Sequence, residues 1–160
     1  MGARADTLAK QFESRATEMT ETLEKLTDAD WKKVTSAEKW TVGVTAHHAA
    51  GAHEAIAGII KAVSTGQSMP PFTMAMLEQM NQTHAREHAN CTRAETLALH
   101  KKGAAAAATV VRGLSDAELD KSGVANHTRL HLSSRTTYSV SCPFSGCSPS
   151  IVSTRSLTLR

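Results

Sequence analysis

Apolar residues return every three or four positions along most of this chain, and the pattern stops near its last quarter. Leu8, Phe12, Ala16, Met19, Leu23 and Leu26 fall on one face of a helix expected over residues 6–26, with charged residues on the other face. A second helix is expected over residues 42–65, with Thr41 as its N-cap and Gly66 at its end. Its apolar stripe reads Val44, Ala52, Ala55, Ile56, Ile59, Ile60 and Val63. A third helix, over residues 92–114, opens on Thr92 and Glu95, the spacing of a capping box, and carries Leu97, Ala104, Ala107, Val111 and Leu114 inward. Its many alanines imply close helix approach. Aromatic residues make up only 4% of the chain, which leaves little of the material that sheets prefer, so the fold class is all-α.

The connections are uneven. Thr27 with Asp30 has capping spacing before a short turn in which Trp31 is placed as a lid on the bundle. Between Gly66 and Cys91 the chain needs a long crossover, opened by Pro70-Pro71 and holding at most a short helix from about Thr73. Met69, Met74, Met76 and Met80 within it read as flexible core filler. Ser115 and Glu118 form a further capping box ahead of a single turn that ends by Gly123.

Beyond Gly123 the character changes. Residues 1–123 carry 14 Lys+Arg against 15 Asp+Glu, whereas residues 124–160 hold four Arg, no acid and many Ser and Thr. Residues 1–123 are therefore expected to form a helical domain and residues 124–160 a Ser/Thr/Arg-rich tail. Two accounts of the tail stay open: a disordered extension, or a changed coding frame in which the native last helix is missing. The near-neutral bundle offers no basic patch for nucleic acid, and Tyr138 and Phe144 are too few for a stacking platform. Cys91, Cys142 and Cys147 form neither an even set nor a C-x-x-C motif, which fits reduced thiols in a cytoplasm. No run approaches the ~18 apolar residues of a membrane span, and the start lacks an apolar leader segment, so the expectation is a cytoplasmic protein.

Histidine is where chemistry could sit, because imidazole is the commonest ligand for zinc, nickel or iron, and helix bundles place such ligands inward on facing helices. His48 lies on the stripe of the second helix, four residues after Val44. His47 is expected on the thin or solvated side with Gly51, Glu54 and Gly58, and His53 on a flank. Two i, i+4 pairs are available. His84 and His88 in the crossover read more readily as surface residues, and His127 and His131 lie in the tail. His100 reads as a packed core residue.

The phrase Trp-Thr-Val-Gly-Val-Thr-Ala-His-His from Trp40, and the segment from Glu87 through the alanine run to Gly123, resemble the DinB/YfiT-like superfamily, which includes the N-terminal domains of mycothiol-dependent maleylpyruvate isomerases. The resemblance covers about residues 5–123. It implies a four-helix bundle with a long crossover between its second and third helices. It also implies a divalent metal, zinc or nickel, held by one histidine of the second helix and an H-x-x-x-H pair of the fourth. Carried onto this sequence, the ligands are His48, His127 and His131. His127 follows Gly123 by only four residues, where the family has a connection and about two helical turns, so the fourth helix is expected to be replaced by an irregular tail. A chain left with His48 alone would be inactive.

The function so implied is a metal-dependent transferase or isomerase that uses a low-molecular-weight thiol such as mycothiol or bacillithiol on a small-molecule substrate. The competing expectation is a non-catalytic helical interaction module without metal. A homodimer is expected in either case, with no nucleic-acid or membrane partner.

Overall fold

The computed structural model describes residues 2–67, 73–125 and 128–131, those from residue 122 onward by backbone alone. The elements in order are α1 (Ala3–Lys25), α2 (Asp28–Trp31), α3 (Val42–Thr65), α4 (Met74–Glu87), α5 (Arg93–Arg112), α6 (Asp116–Leu119), β1 (Ser122–Ala125) and β2 (Thr128–His131). The architecture is all-α: α1, α3 and α5 pack together as the core of a helix bundle, and α4, in the crossover between α3 and α5, lies against α3. β1 and β2 add a small antiparallel pair with Ser122 opposite His131 and Ala125 opposite Thr128. Among the described residues no helix is long and apolar enough to cross a membrane. Most of the tail, residues 132–160, lies outside the described residues.

The helix starts follow the local chemistry of the sequence. Thr27, Thr92 and Ser115 each accept from the backbone N–H three residues on, while Asp30, Glu95 and Glu118 accept in return from the cap residue's own N–H. Each box satisfies two backbone donors that the first helical turn leaves unpaired. Thr41 caps α3 through a bond from the Val44 N–H, and α3 stops at Gly66, whose φ of 73° is open to glycine at little cost.

α5 packs against both α3 and α1. Its buried side chains are Thr96, His100, Ala104, Ala107 and Ala108. His100 is in the core, as its sequence position suggests. α1 presents Ala5, Ala9 and Leu23 fully buried, with Leu8, Phe12, Ala16, Met19 and Leu26 half-buried along the expected stripe. At one end Leu119 of α6 is sealed against Ala5 and Leu114, with Leu8 and Ile60 packed around them. Arg112 of α5 reaches across to Glu13 through two guanidinium nitrogens and to Asp6 at 3.3 Å, fixing the register of α5 on α1.

Two expectations need correction. The buried face of α3 is Val42, Gly43, Val44, Ala46, Ala50, Ala57, Val63 and Ser64, and Ala55 is exposed. The face is set by size: α5 offers alanines, and the small residues of α3 allow the two helix axes to approach, while the isoleucines sit at its border. The crossover holds a complete 14-residue helix, α4, capped by Thr73. None of its residues is buried, and Met74, Met76 and Met80 are exposed instead of filling the core. Met69 lies outside the described residues.

Candidate metal centre

α3 and α4 meet through histidines. Consecutive residues on a helix point about 100° apart, so His47 and His48 straddle the edge of α3 that α4 approaches. His84 lies in the last turn of α4 and His88, four residues on, is its C-cap. The His47 ring stacks on His88 with centroids 4.0 Å apart and lies 5.2 Å from His84, and the His84 and His88 rings are 4.5 Å apart. His48 meets His84 edge to face at 4.9 Å. Trp40, immediately before the α3 cap, closes one side, with its ring 5.5 Å from His48 and 6.4 Å from His84.

One nitrogen from each of His47, His84 and His88 lies within 4.8 Å of the other two. His47 Nδ1 and His84 Nε2 are 3.4 Å apart. That is long for a hydrogen bond between two imidazoles, but two nitrogens bound to a tetrahedral zinc at its usual bond length stand about 3.3 Å apart. The donor set therefore fits a divalent cation of the zinc or nickel kind, with three imidazoles and a fourth position left for water or substrate.

Electrostatics favour the form that binds metal. Burial, then the neighbouring His48, His88 and His47, pushes the His84 imidazole down to about 4. His47 is lowered by burial first and by His88 next, with Glu95 opposing. His48 is lowered by burial, with Glu38 opposing. These rings keep their lone pairs at neutral pH, where a metal competes with few protons. Cys91, three residues past His88, is outside the cluster; burial pushes its thiol up, so it stays protonated.

The sequence placed these residues only in part. His48 is half-buried beside the cluster, but its nitrogens are not among the three that converge. His127 lies outside the described residues. His131 is described by its backbone, at the end of β2 opposite Ser122, where a four-residue spacing has no helical face to serve. His47, expected on the solvated side, is half-buried and central to the cluster. The available signal for the α4 pair was its i, i+4 spacing behind the Thr73 cap. For His47 it was the doubled histidine itself, which covers two adjacent helix faces whichever register α3 adopts.

A groove beside His84 runs along α4, lined by Met76, Gln79, Met80, Thr83 and Glu87. It is open and largely apolar, with one carboxylate at its rim.

Comparison with known proteins places this geometry in context. The sequence pattern of the family described as the mycothiol maleylpyruvate isomerase N-terminal domain matches residues 12–135. No functionally curated protein matches the chain. YfiT from Bacillus subtilis, described as a probable metal-dependent hydrolase with an unusual four-helix bundle topology, superposes with a TM-score of 0.65 at 16% identity, over 82% of this chain and 75% of that one. A mutant of the mycothiol-dependent maleylpyruvate isomerase superposes with a TM-score of 0.62 at 14% identity, over 80% of this chain. This chain spans 51% of that isomerase's length. At these identities the superpositions speak for the fold.

Proposed function

The chain belongs to the mycothiol maleylpyruvate isomerase N-terminal domain family, within the DinB/YfiT-like superfamily, and from that premise we propose that it is a divalent-metal-dependent enzyme acting through a small thiol, as a transferase or isomerase. The observation that carries the reading is the convergence of His47, His84 and His88, three imidazoles with one nitrogen each within 4.8 Å of the other two. Bound there, a zinc or nickel ion would supply Lewis acidity and lower the pKa of a thiol or water in the open position.

The chain's own groups do the rest. His47, His84 and His88 present lone pairs from two helices, so the site forms only when α3 and α4 are docked. Trp40 excludes water from one flank and, with the edge of His48, fixes the rotation of the His84 ring. The methionines of the α4 groove offer an apolar, polarisable surface to a substrate approaching His84. Glu87 favours a substrate with a polar or cationic end over one with a second carboxylate there.

The test is metal content and turnover. Purified chain should hold close to one zinc or nickel per molecule and, so loaded, convert a thiol-dependent substrate. Metal-free protein that takes up no zinc at neutral pH would overturn the proposal. A second reading, an interaction module that pairs with another copy of itself, draws on the exposure of Met74, Met76 and Met80. It requires a dimer in solution and no stoichiometric metal.

A further inference from the structure

A second histidine pair lies away from the metal centre, at the junction of the three long helices. His100 of α5 is 1% exposed. Its Nε2 stands 2.9 Å from the carbonyl oxygen of Ala16 in α1, and its Nδ1 stands 2.9 Å from Nε2 of His53 in α3. A carbonyl can only accept, so His100 Nε2 carries the hydrogen and donates to Ala16. Nδ1 of the neutral ring is then a bare acceptor. His53 must donate to it from Nε2, which leaves His53 Nδ1 as the pair's remaining lone pair.

The surroundings are built to hold this chain of bonds. Gly103 gives His53 its room, since a β-carbon there would stand 3.2 Å from the His53 β-carbon and 3.4 Å from the Ala50 carbonyl. Phe12 of α1 meets the His53 ring edge to face at 5.5 Å. We propose that His53 and His100 form a proton-sensitive clasp, fastening α3 and α5 to α1 while both rings are neutral and loosening as the pair takes up protons.

Proton uptake acts in two steps. The first proton adds to His53 Nδ1 and leaves the bond to His100 in place, but it creates a half-buried imidazolium without a counter-ion. The second must go to His100 Nδ1, which turns the acceptor into a donor and sets two N–H groups against each other across 2.9 Å. That contact cannot persist.

Among the described residues no neighbouring carboxylate is free to pair with the charged form. On α1 the flanking Glu13 is engaged by Arg112, and Arg15 pairs with Glu18. On α5 Lys101 pairs with Glu24, Lys102 is exposed, and on α3 Glu54 faces solvent. Burial first and His100 second lower His53 below its ordinary 6.5. With the folded value depressed, the unfolded chain binds more protons at mildly acidic pH. The stabilisation is thus fully present above pH 6.5 and is lost as pH falls through the folded value.

Long-range nitrogen–proton NMR spectra of the full chain, labelled at histidine, provide the test. At pH 8 both His53 and His100 should be Nε2–H tautomers, and on acidification His53 should titrate below 6.5. A His100 Nδ1–H tautomer, or a His53 midpoint at or above 6.5, would overturn the clasp. Denaturant midpoints of metal-free wild type and His53→Phe between pH 7.5 and 5 give a second reading. The wild-type midpoint should fall more steeply with acid than the variant's, and parallel curves would count against the proposal. Should the variant fail to fold, the wild-type spectra decide alone.

Discussion

Substituting His47 and His48 separately distinguishes the ligand set that converges in space from the one implied by family resemblance. His47→Ala removes one of three converging imidazoles, whereas His48→Ala removes an edge contact to the His84 ring. Apparent binding energies of ~10–16 kcal/mol for four-ligand structural zinc sites amount to roughly 3 kcal/mol per ligand. Losing one ligand should therefore weaken zinc by about 100-fold. Zinc at about 100 times the wild-type Kd stabilises the folded protein by about 2.7 kcal/mol. At that same zinc concentration the His47→Ala variant is only half-saturated and gains roughly 0.4 kcal/mol. For a domain of this size the difference reads as a zinc-induced rise in Tm of roughly 5–10 °C in wild type against about 1 °C in the variant. His48→Ala should keep most of the wild-type rise and lose no more than ~10-fold in affinity, the lower range for groups that orient a ligand. Calorimetric titration with zinc and thermal melts on the same samples give both numbers. A normal zinc response in His47→Ala together with none in His48→Ala would refute the assignment.

Three further outcomes follow from the packing. Gly43→Ala places a β-carbon 2.6 Å from Cε2 of Trp31 and displaces the ring whose Nε1 donates to the Cys91 carbonyl at 3.0 Å. Overpacking of ~1–3 kcal/mol and a lost hydrogen bond of ~1 kcal/mol outweigh the ~1 kcal/mol helix gain, so urea unfolding should show a net loss of about 2 kcal/mol. Leu119→Ala empties a position 1% exposed and sealed by Ala5 and Leu114, and should cost ~3 kcal/mol by the same assay. Zinc should slow amide exchange in α4 by tenfold or more while changing the centre of α5 little; equal slowing in both would show that the metal does not act at the α3–α4 junction.

What the sequence disclosed about this bundle was mostly local. The capping boxes at Thr27, Thr92 and Ser115 became helix starts, because the cap chemistry needs no information from elsewhere in the chain. The α1 stripe was legible because its large apolar residues are also its inward ones. α3 was misread because its inward residues are its smallest. Ala46, Ala50 and Ala57 carry little hydrophobic signal, yet their size is what lets α5 come close, and that depends on alanines some fifty residues later. His47, expected on the solvated side, is half-buried like His48, and both meet α4. A register built on the isoleucines turns α3 away from its seam with α5, which runs through its alanines. α4 escaped notice as a full helix because its pattern has no buried stripe to find.

That missing stripe bears on how the site works. A helix of 14 residues is marginal alone in water, and α4 buries no residue that could hold it against the bundle by apolar area. The aromatic contacts recorded between α4 and α3 run through His84 and His88 to His47, His48 and the preceding Trp40. The groups that would bind the metal are thus also the groups that dock the helix. In such an arrangement ligand geometry and helix position are one equilibrium: whatever holds the three nitrogens, now within 4.8 Å of one another, at the tetrahedral span also fixes α4 on α3 and shapes the groove beside His84. The binding surface along Met76 and Met80 would then be completed by the metal, whereas the α1–α3–α5 core, packed through its alanines, stands independently of it.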